Sequence, residues 1–436
     1  MGAQPPFEVR FINFIDFSIM KTIYTRSKEN KALMPTERGG RIGYLLRHGK
    51  AHVVSRVPFV VQLDYESPTY TQAVSLGIDA GSKHIGVSAS TEKKELFAAQ
   101  VELRSDVAKL LSDRRELRRT RRYRKTRYRK PRFDNRRKKV GWLAPSVEQK
   151  VGSHLKVIRL VRGLLPLSRI TIEVAQFDIQ KIKTPNIAGE DYQQGEQSGF
   201  WNVREYVLAR DGHRCVHCKG KSKDPILNVH HLESRKTGGN SPSNLVTLCE
   251  SCHKAYHRGE FELKIKRVPS FRDASVMSIM RWAVYERARS EFGNVNLTYG
   301  YATKYTRIEN GIAKTHAADA FCIARNVHAR RSDFFFLCRC VPRHTRALHV
   351  ANPKKGGLRR STIAPHKVGG SRFQRFDMVR WKGKDCFIFG STNGRPVLRD
   401  CSGDKIHETS SVNIKTIKFL KRLRNNILME ERTSET

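Results

Sequence analysis

The chain has 436 residues, with 83 lysines and arginines against 41 aspartates and glutamates, and so a formal charge of +42. That surplus calls for a polyanion, nucleic acid or an anionic membrane surface, ahead of a small acidic substrate, and 39% hydrophobic with 9% aromatic residues is too rich for a wholly disordered basic tail. The longest apolar runs, near 57–61 and 334–338, are far below the roughly 18 residues of a spanning helix, which excludes an integral membrane protein.

The length accommodates two or three domains with their own cores. Residues 1–19 carry Glu8, Arg10 and Asp16 and no small-residue cleavage site, so they do not read as a signal peptide, and Met20 is a plausible start. Residues 21–64 predict strand, helix near 38–48, and strand. Strands at 74–79 and 85–90 follow, joined by Ala80-Gly81-Ser82-Lys83, with a third near 97–103. Between positions 114 and 139, 16 of 26 residues are Arg or Lys and only Glu116 and Asp134 are acidic. Arg114, Arg115, Arg118, Arg119, Arg121, Arg122 and Arg124 have good helix propensity, up to Pro131. Like charges at i,i+4 oppose an isolated helix, so the segment is expected to be helical when a polyanion neutralises it. Arginine forks onto phosphates, which makes these residues candidates for nucleic-acid binding.

After the basic segment, Val147, Val151, Leu155, Ile158 and Val161 recur at helical spacing, and Pro166 leads into a strand at 169–174. A Cys/His-rich insertion precedes helices at 276–292 and 315–331. A Gly- and Lys-rich linker, 352–370, then leads to short strands at 376–381, 386–391, 396–399 and 413–420, read as a small barrel-like β domain. From 341 to 436 there are 21 basic and 8 acidic residues, a second basic surface.

Two constellations carry chemistry. Asp79 and Glu173 each sit among β-branched residues on a buried strand, where a carboxylate is expensive to ionise without a cation, so each either pairs with a base or converges on metal. His316 and Asp319 lie three apart on one helical face. Three carboxylates and a histidine suit Mg²⁺, which takes oxygen ligands, keeps several waters and bridges phosphate oxygens. In the second constellation, Cys215/Cys218 and Cys249/Cys252 have structural-zinc spacing. Nine cysteines, an odd total, fit metal in a reduced compartment better than a disulfide framework. Within the zinc loop lie His230-His231, Asn244, His253 and His257; a zinc ribbon that only binds nucleic acid needs the cysteines but not these.

The order Asp79 hairpin, basic segment, Glu173 strand, insertion and His316-x-x-Asp319 helix resembles the split RuvC nuclease, an RNase H-like fold. The resemblance implies that Asp79, Glu173 and Asp319 hold two Mg²⁺ ions, one activating water and one stabilising the leaving 3′ oxygen, while His316 assists the attacking water. The insertion resembles a zinc-stapled ββα-metal HNH nuclease. There, by position, His231 is the general base, His230 and His253 bind a single Mg²⁺ with His257 as the other choice for the last ligand, and Asn244 holds the loop carrying His231.

The combination resembles the transposon-encoded IscB family of RNA-guided endonucleases, related to type II CRISPR nucleases, and Ala32-Leu33-Met34-Pro35 looks like its Pro-Leu-Met-Pro signature with Ala in first place. It implies an α/β multidomain protein with a leader outside the match (1–19), a PLMP-like domain (20–68), RuvC-I (69–105), a bridge helix (106–140), RuvC-II (141–185), HNH (186–265), RuvC-III (266–335) and a β domain that meets RNA and the target-flanking motif (336–436). The implied partners are a non-coding guide, the ωRNA, and double-stranded DNA, with no membrane, in a monomeric ribonucleoprotein of the prokaryotic cytoplasm, nucleoid-associated when on DNA. Pairing reads sequence while the protein reads shape and the flanking motif, and HNH cuts the guide-paired strand, RuvC the displaced one. The competing readings are an autonomous HNH homing or resolvase-like nuclease and a nuclease-inactive RNA-guided DNA-binding protein.

Overall fold

The computed structural model describes residues 22–123, 141–174, 203–233, 242–263, 272–342, 368, 373–406, 411–423 and 425–433. The chain forms two compact units, one of Met1–Asn135, Leu143–Gln176 and Met280–Thr436, the other of Arg136–Trp142 and Phe177–Ile279.

The first unit opens with β1 (Tyr24–Arg26), α1 (Gly39–Arg47), β2 (Ala51–Arg56) and β3 (Phe59–Leu63). β3 runs parallel to β1 and antiparallel to β2, and Ile42, Leu45 and Leu46 of the amphipathic α1 pack with Ile23, Val61 and Leu63. The expected strand–helix–strand therefore gains a strand, because a turn at Val57 and Pro58 folds residues 51–63 into a hairpin.

Next come β4 (Val74–Ala80), β5 (His84–Ser90) and β6 (Glu95–Glu102), an antiparallel meander, then α2 (Val107–Tyr123), α3 (Pro145–Arg162) and β7 (Leu167–Val174). β7 pairs parallel to β4. The second unit contributes α4 (Val203–Arg210), β8 (Leu227–His231), β9 (Leu245–Cys249) and α5 (Glu250–His257). Then follow α6 (Arg272–Phe292), β10 (Val295–Tyr299), α7 (Gly300–Glu309), α8 (His316–Ala324) and β11 (Phe334–Cys340). The chain ends with β12 (Met378–Trp381), β13 (Lys384–Thr392), β14 (Arg395–Arg399), β15 (Lys418–Lys421) and β16 (Ile427–Thr433).

A seven-stranded mixed sheet in the order β10-β7-β4-β5-β6-β11-β16 dominates the first unit. Every residue of β4 is buried, which is why it reads as a continuous apolar run rather than an alternating one. Ile78, Ile85, Val87 and Ile172 are fully buried, each contributing about 1.5–3 kcal/mol of transfer free energy.

α8 lies directly on β4 and β5 because those strands offer glycines beneath it. A methyl group on Gly77 would overlap the Ala320 carbonyl, and one on Gly86, which sits opposite Asp79 in the ladder, would overlap the His316 carbonyl. The helix is capped by Thr315, whose hydroxyl accepts from Ala318 N at 3.0 Å. It stops at Ala324, well before the expected residue 331, because Arg325 turns left-handed (φ 66°) and Asn326 donates to the Ser90 carbonyl at 3.0 Å. Since the clash at Gly86 is with backbone, Gly86→Ala is expected to cost about 1–3 kcal/mol or more, read as a lower thermal midpoint. Gly40→Ala, with nothing within 4 Å of the added methyl, is the control that leaves it unchanged or higher.

The four-stranded antiparallel sheet β14-β13-β12-β15 has its own core of Val379, Trp381, Cys386, Ile388 and Leu398. β16 does not join it. It pairs antiparallel with β11 at the edge of the large sheet, so neither of these strands belongs to the small β domain in which the sequence reading placed 336–436. The leader, most of the linker 352–370 and the basic stretch from 124 lie outside the described residues; α2 covers the stretch before it, with Arg114 and Arg115 exposed. No described helix is long and apolar enough to cross a membrane.

Candidate functional site

The first site forms where the carboxyl-terminal ends of two parallel strands meet the amino-terminal turn of α8. β4 and β7 are neighbours with Ile78 opposite Ile172, so the next residues, Asp79 and Glu173, emerge side by side at one edge. α8 then brings His316 and Asp319 over them. His316 Nδ1 donates to Asp79 Oδ2 at 2.7 Å, and the His84 ring stacks on that of His316 with centroids 5.2 Å apart. The proton on Nδ1 leaves the Nε2 lone pair as the imidazole's acceptor.

Two arginines that the sequence reading missed complete the group. Arg281 of α6 places its guanidinium 3.0 Å from Glu173 Oε1 and 3.6 Å from Asp79 Oδ1, and its Nε donates to the Ala80 carbonyl at 2.9 Å. Arg307 of α7 lies 3.1 Å from Asp319 Oδ1. Burial raises Glu173 and Asp319 above the usual carboxylate range; the arginines oppose this, and the charge of Asp79 reinforces it. The hydrogen bond to Asp79 raises His316. The four acidic-site residues named from the sequence are thus brought together, with guanidinium groups standing where cationic charge is needed. Among the described residues, the sets whose ligand atoms all fall within 4.8 Å of one another are one of cysteines and one of histidines. The carboxylates form no such set: three like charges stay apart until a cation draws them in. Their donor chemistry, all oxygen, fits Mg²⁺.

Removing the tethered cation tests this. Arg281→Met leaves Asp79 and Glu173, both about nine-tenths buried, without their guanidinium, at a cost of about 3–5 kcal/mol in chelator. Mg²⁺ is then expected to raise the melting temperature of the variant more than that of the wild type, whose arginine competes for the same carboxylates. Equal Mg²⁺ shifts in the two proteins would count against it.

The second site is a ββα unit. β8 and β9 pair antiparallel with His230 opposite Val246 and His231 opposite Leu245, and α5 follows β9 without a break. Asn244 is fully buried, and its carboxamide clasps the loop after His231: Oδ1 accepts from Glu233 N at 2.8 Å and Nδ2 donates to Glu233 O at 3.1 Å. His253 and His257, one turn apart on α5, converge with their Nε2 atoms 3.3 Å apart. The His230 ring stands 5.2 and 5.3 Å from them and meets Tyr256 edge-on at 4.5 Å.

His230 Nε2 is buried and has no hydrogen-bond partner, and a ring nitrogen of His230 falls within 4.8 Å of ring nitrogens of the other two imidazoles. Burial, then repulsion from His253, His257 and His231, pushes His230 down to about 4, so it is a neutral ligand at pH 7. An orphaned buried nitrogen facing two more imidazoles fits a divalent ion. The choice between His253 and His257 dissolves, since both reach the same point. The donor set departs from the magnesium expectation, because three nitrogens suit a borderline ion such as Zn²⁺ or Mn²⁺ better than one that seeks oxygen.

Cys215, Cys218, Cys249 and Cys252 bring four sulfurs within 4.8 Å, and Cys218 Sγ is 3.8 Å from Cys249 Sγ. That is the edge of a tetrahedron with a zinc–sulfur distance of about 2.3 Å. Cys218 stands at about 6: burial raises it, but hydrogen bonds from Ser222 and the Gly220 backbone bring it down, which supplies a thiolate at neutral pH.

Residues 23–195 match the family described as RRXRR protein, and residues 215–259 match HNH endonuclease. Arg118-Arg119-Thr120-Arg121-Arg122 spells the first family's pattern within α2. Anaredoxin of Nostoc sp. strain PCC 7120 is 39% identical over 67 residues, which is 15% of this chain and 84% of that protein. Among solved structures, Streptococcus thermophilus Cas9 in complex with the AGAA PAM shares 17% identity at a TM-score of 0.28, over 43% of this chain and 26% of that one. The type II-C Cas9 enzyme from Actinomyces naeslundii shares 11% at 0.24, over 58% and 60%. The chain therefore spans about a quarter of the first Cas9 and three-fifths of the second. The matched HNH endonuclease domain supports a nuclease, a hydrolase of phosphodiester bonds. An RRXRR family match ahead of an HNH endonuclease match, in a strongly basic chain, is the combination that supports an IscB-like nuclease.

Proposed function

We propose that the chain is an RNA-guided DNA endonuclease that cuts both strands of a duplex beside a short flanking motif. The observation that supports this is the presence of two unlike polar clusters in one chain, one of three carboxylates and His316, the other of three imidazoles beside His231. Two sites are what two strands of opposite polarity require.

In the ββα unit, His231 takes the proton from the attacking water, held in place by the Asn244 clasp on the following loop. His230, His253 and His257 would hold a divalent ion, which would supply positive charge for the scissile phosphate. In the acidic site, Asp79, Glu173 and Asp319 would hold two Mg²⁺ ions, and His316, fixed through Nδ1 by Asp79, presents Nε2 to orient or deprotonate water. Arg281 and Arg307 hold the carboxylates until then. This assigns 69–105, 141–185 and 266–335 to a split RuvC domain, with β16 added from the far end of the chain, and 186–265 to the HNH insertion.

The arginine-rich segment from Arg114 grips the ωRNA, and the small β domain meets RNA and the flanking motif. HNH cuts the guide-paired strand and RuvC the displaced one, in a monomeric ribonucleoprotein of the prokaryotic cytoplasm. The test is to purify the protein with its RNA, digest that RNA, and assay duplex cleavage with divalent metal. Cleavage is expected to vanish on digestion and return with the co-purifying transcript; sequence-specific cutting that survives digestion would establish an autonomous nuclease instead.

A further inference from the structure

α7 faces two ways. Its inner side builds the acidic site: a methyl on Gly300 would lie 3.5 Å from Glu173 Oε1, the buried Thr303 hydroxyl hydrogen-bonds Glu173, and Arg307 pairs with Asp319. Its outer side carries Tyr301, Tyr305 and Ile308, which are 60%, 66% and 60% exposed. Spaced four and three residues apart they form one stripe along the helix, and they are three of the nine large hydrophobics exposed among the described residues. Leaving them in water wins nothing for folding, so the stripe calls for an occupant.

The surroundings say which. Tyr299 at the end of β10 stacks on Tyr301 with centroids 6.1 Å apart and planes 14° off parallel, so one ring of the stripe is already oriented. Tyr301 and Tyr305 stand about 6 Å apart along the helix axis, a step that successive bases of an extended strand can follow. Lys304, next to Tyr305 in the helix, is exposed, Lys314 is exposed where its charge reaches His316 and Asp319, and Glu309 is the acidic residue of the same helix end. Flat aromatic faces interleaved with cations are the elements of a single-strand binding surface, whereas three side chains are too few for a stable protein interface. The stripe is also continuous, through the thickness of one helix, with the carboxylates of the acidic site.

We propose that the outer face of α7 is a stacking platform for unpaired bases of the DNA strand that enters the acidic site. Bases rest on Tyr301 and Tyr305, Lys304 and Lys314 neutralise the adjoining phosphates, and the next phosphodiester is delivered to Asp79, Glu173 and Asp319. This rests on the acidic group being a nuclease site, and the experiment separates the two claims. The full chain with its RNA is mixed, without Mg²⁺, with a single-stranded DNA carrying 5-iodouracil, at salt high enough to suppress general phosphate binding, irradiated, and the adducts mapped. The adduct is expected on Tyr301 or Tyr305. Tyr301→Ala/Tyr305→Ala is expected to lose about tenfold in affinity for the strand with an unchanged melting temperature, and Tyr301→Phe/Tyr305→Phe to retain it.

Adducts elsewhere, undiminished affinity in the alanine variant, or preferential adducts to an RNA of the same sequence would overturn the platform. In parallel, Asp79→Ala reports on the acidic site by strand-specific nicking. A platform adduct with nicking that survives Asp79→Ala sinks only the nuclease reading; lost nicking without the adduct sinks only the platform.

Discussion

His231→Ala is expected to lower cleavage of one strand by about 10²–10⁴-fold, the worth of a positioned general base, while the opposite strand is still cut, so that the product is a nicked duplex. The residue sits on β8 opposite Leu245, beside a metal-type cluster it does not belong to, so its loss removes a proton acceptor and leaves the ligand set standing. Asp79→Ala acts at the other centre. It takes away the acceptor of His316 and one of three carboxylates, and is expected to give the complementary nick. Duplex with the two strands labelled separately, resolved on a denaturing gel, reads both variants at once. If either one still made double-strand breaks at the wild-type rate, the division of labour between sites would be wrong.

Cys249→Ser or exhaustive chelation is expected to have the largest structural effect. The cluster around the four cysteines is small: Leu248 with Cys215, Cys249 and Cys252, flanked by the partly buried Val216, Leu227, Phe261 and Leu263. So little apolar area does not offset the conformational entropy of ordering the segment, whereas zinc bound by four thiolates contributes about 10–16 kcal/mol. Without it β8 and β9 should separate and carry His230 away from His253 and His257. The measurements are zinc content, expected to lose the thiolate-bound equivalent, and hydrogen exchange, expected to become fast from β8 through α5. Protection in that stretch that survives zinc loss would show that the histidine cluster and its packing suffice.

Much of the candidate chemistry is legible in sequence because it is local. The paired Cys-x-x-Cys motifs, His230-His231 and His316-x-x-Asp319 each declare themselves within a few residues, and the continuous apolar runs around Asp79 and Glu173 mark buried strands. The arginines do not, since Arg281 reaches a carbonyl 201 positions away and nothing near it but the Met280, Val284 and Ala288 repeat hints at burial. The reason for Gly86 exists only once α8 lies on it. β10 and α7 were missed because Val295–Tyr299 alternates weakly and α7 turns tyrosines outward. β11 alternates in burial but not in sequence, where Phe334–Cys338 is an unbroken apolar run, and its partner β16 lies beyond an entire domain.

That last pairing has an engineering consequence. The chain leaves the large sheet through β11 and re-enters through β16, and Cys340 and Ile427 are registered partners. The intervening β12–β15 segment is therefore a cassette whose two stems sit side by side, and grafting in another module of this kind demands little from the strands that carry the acidic site. Val341 and Leu428, which pack with Phe376, Met378 and Phe387 of the module, mark the seam a graft must match. An evolving lineage would find the same seam as convenient as a designer does: this module could be exchanged while the sheet that carries the acidic site stays as it is.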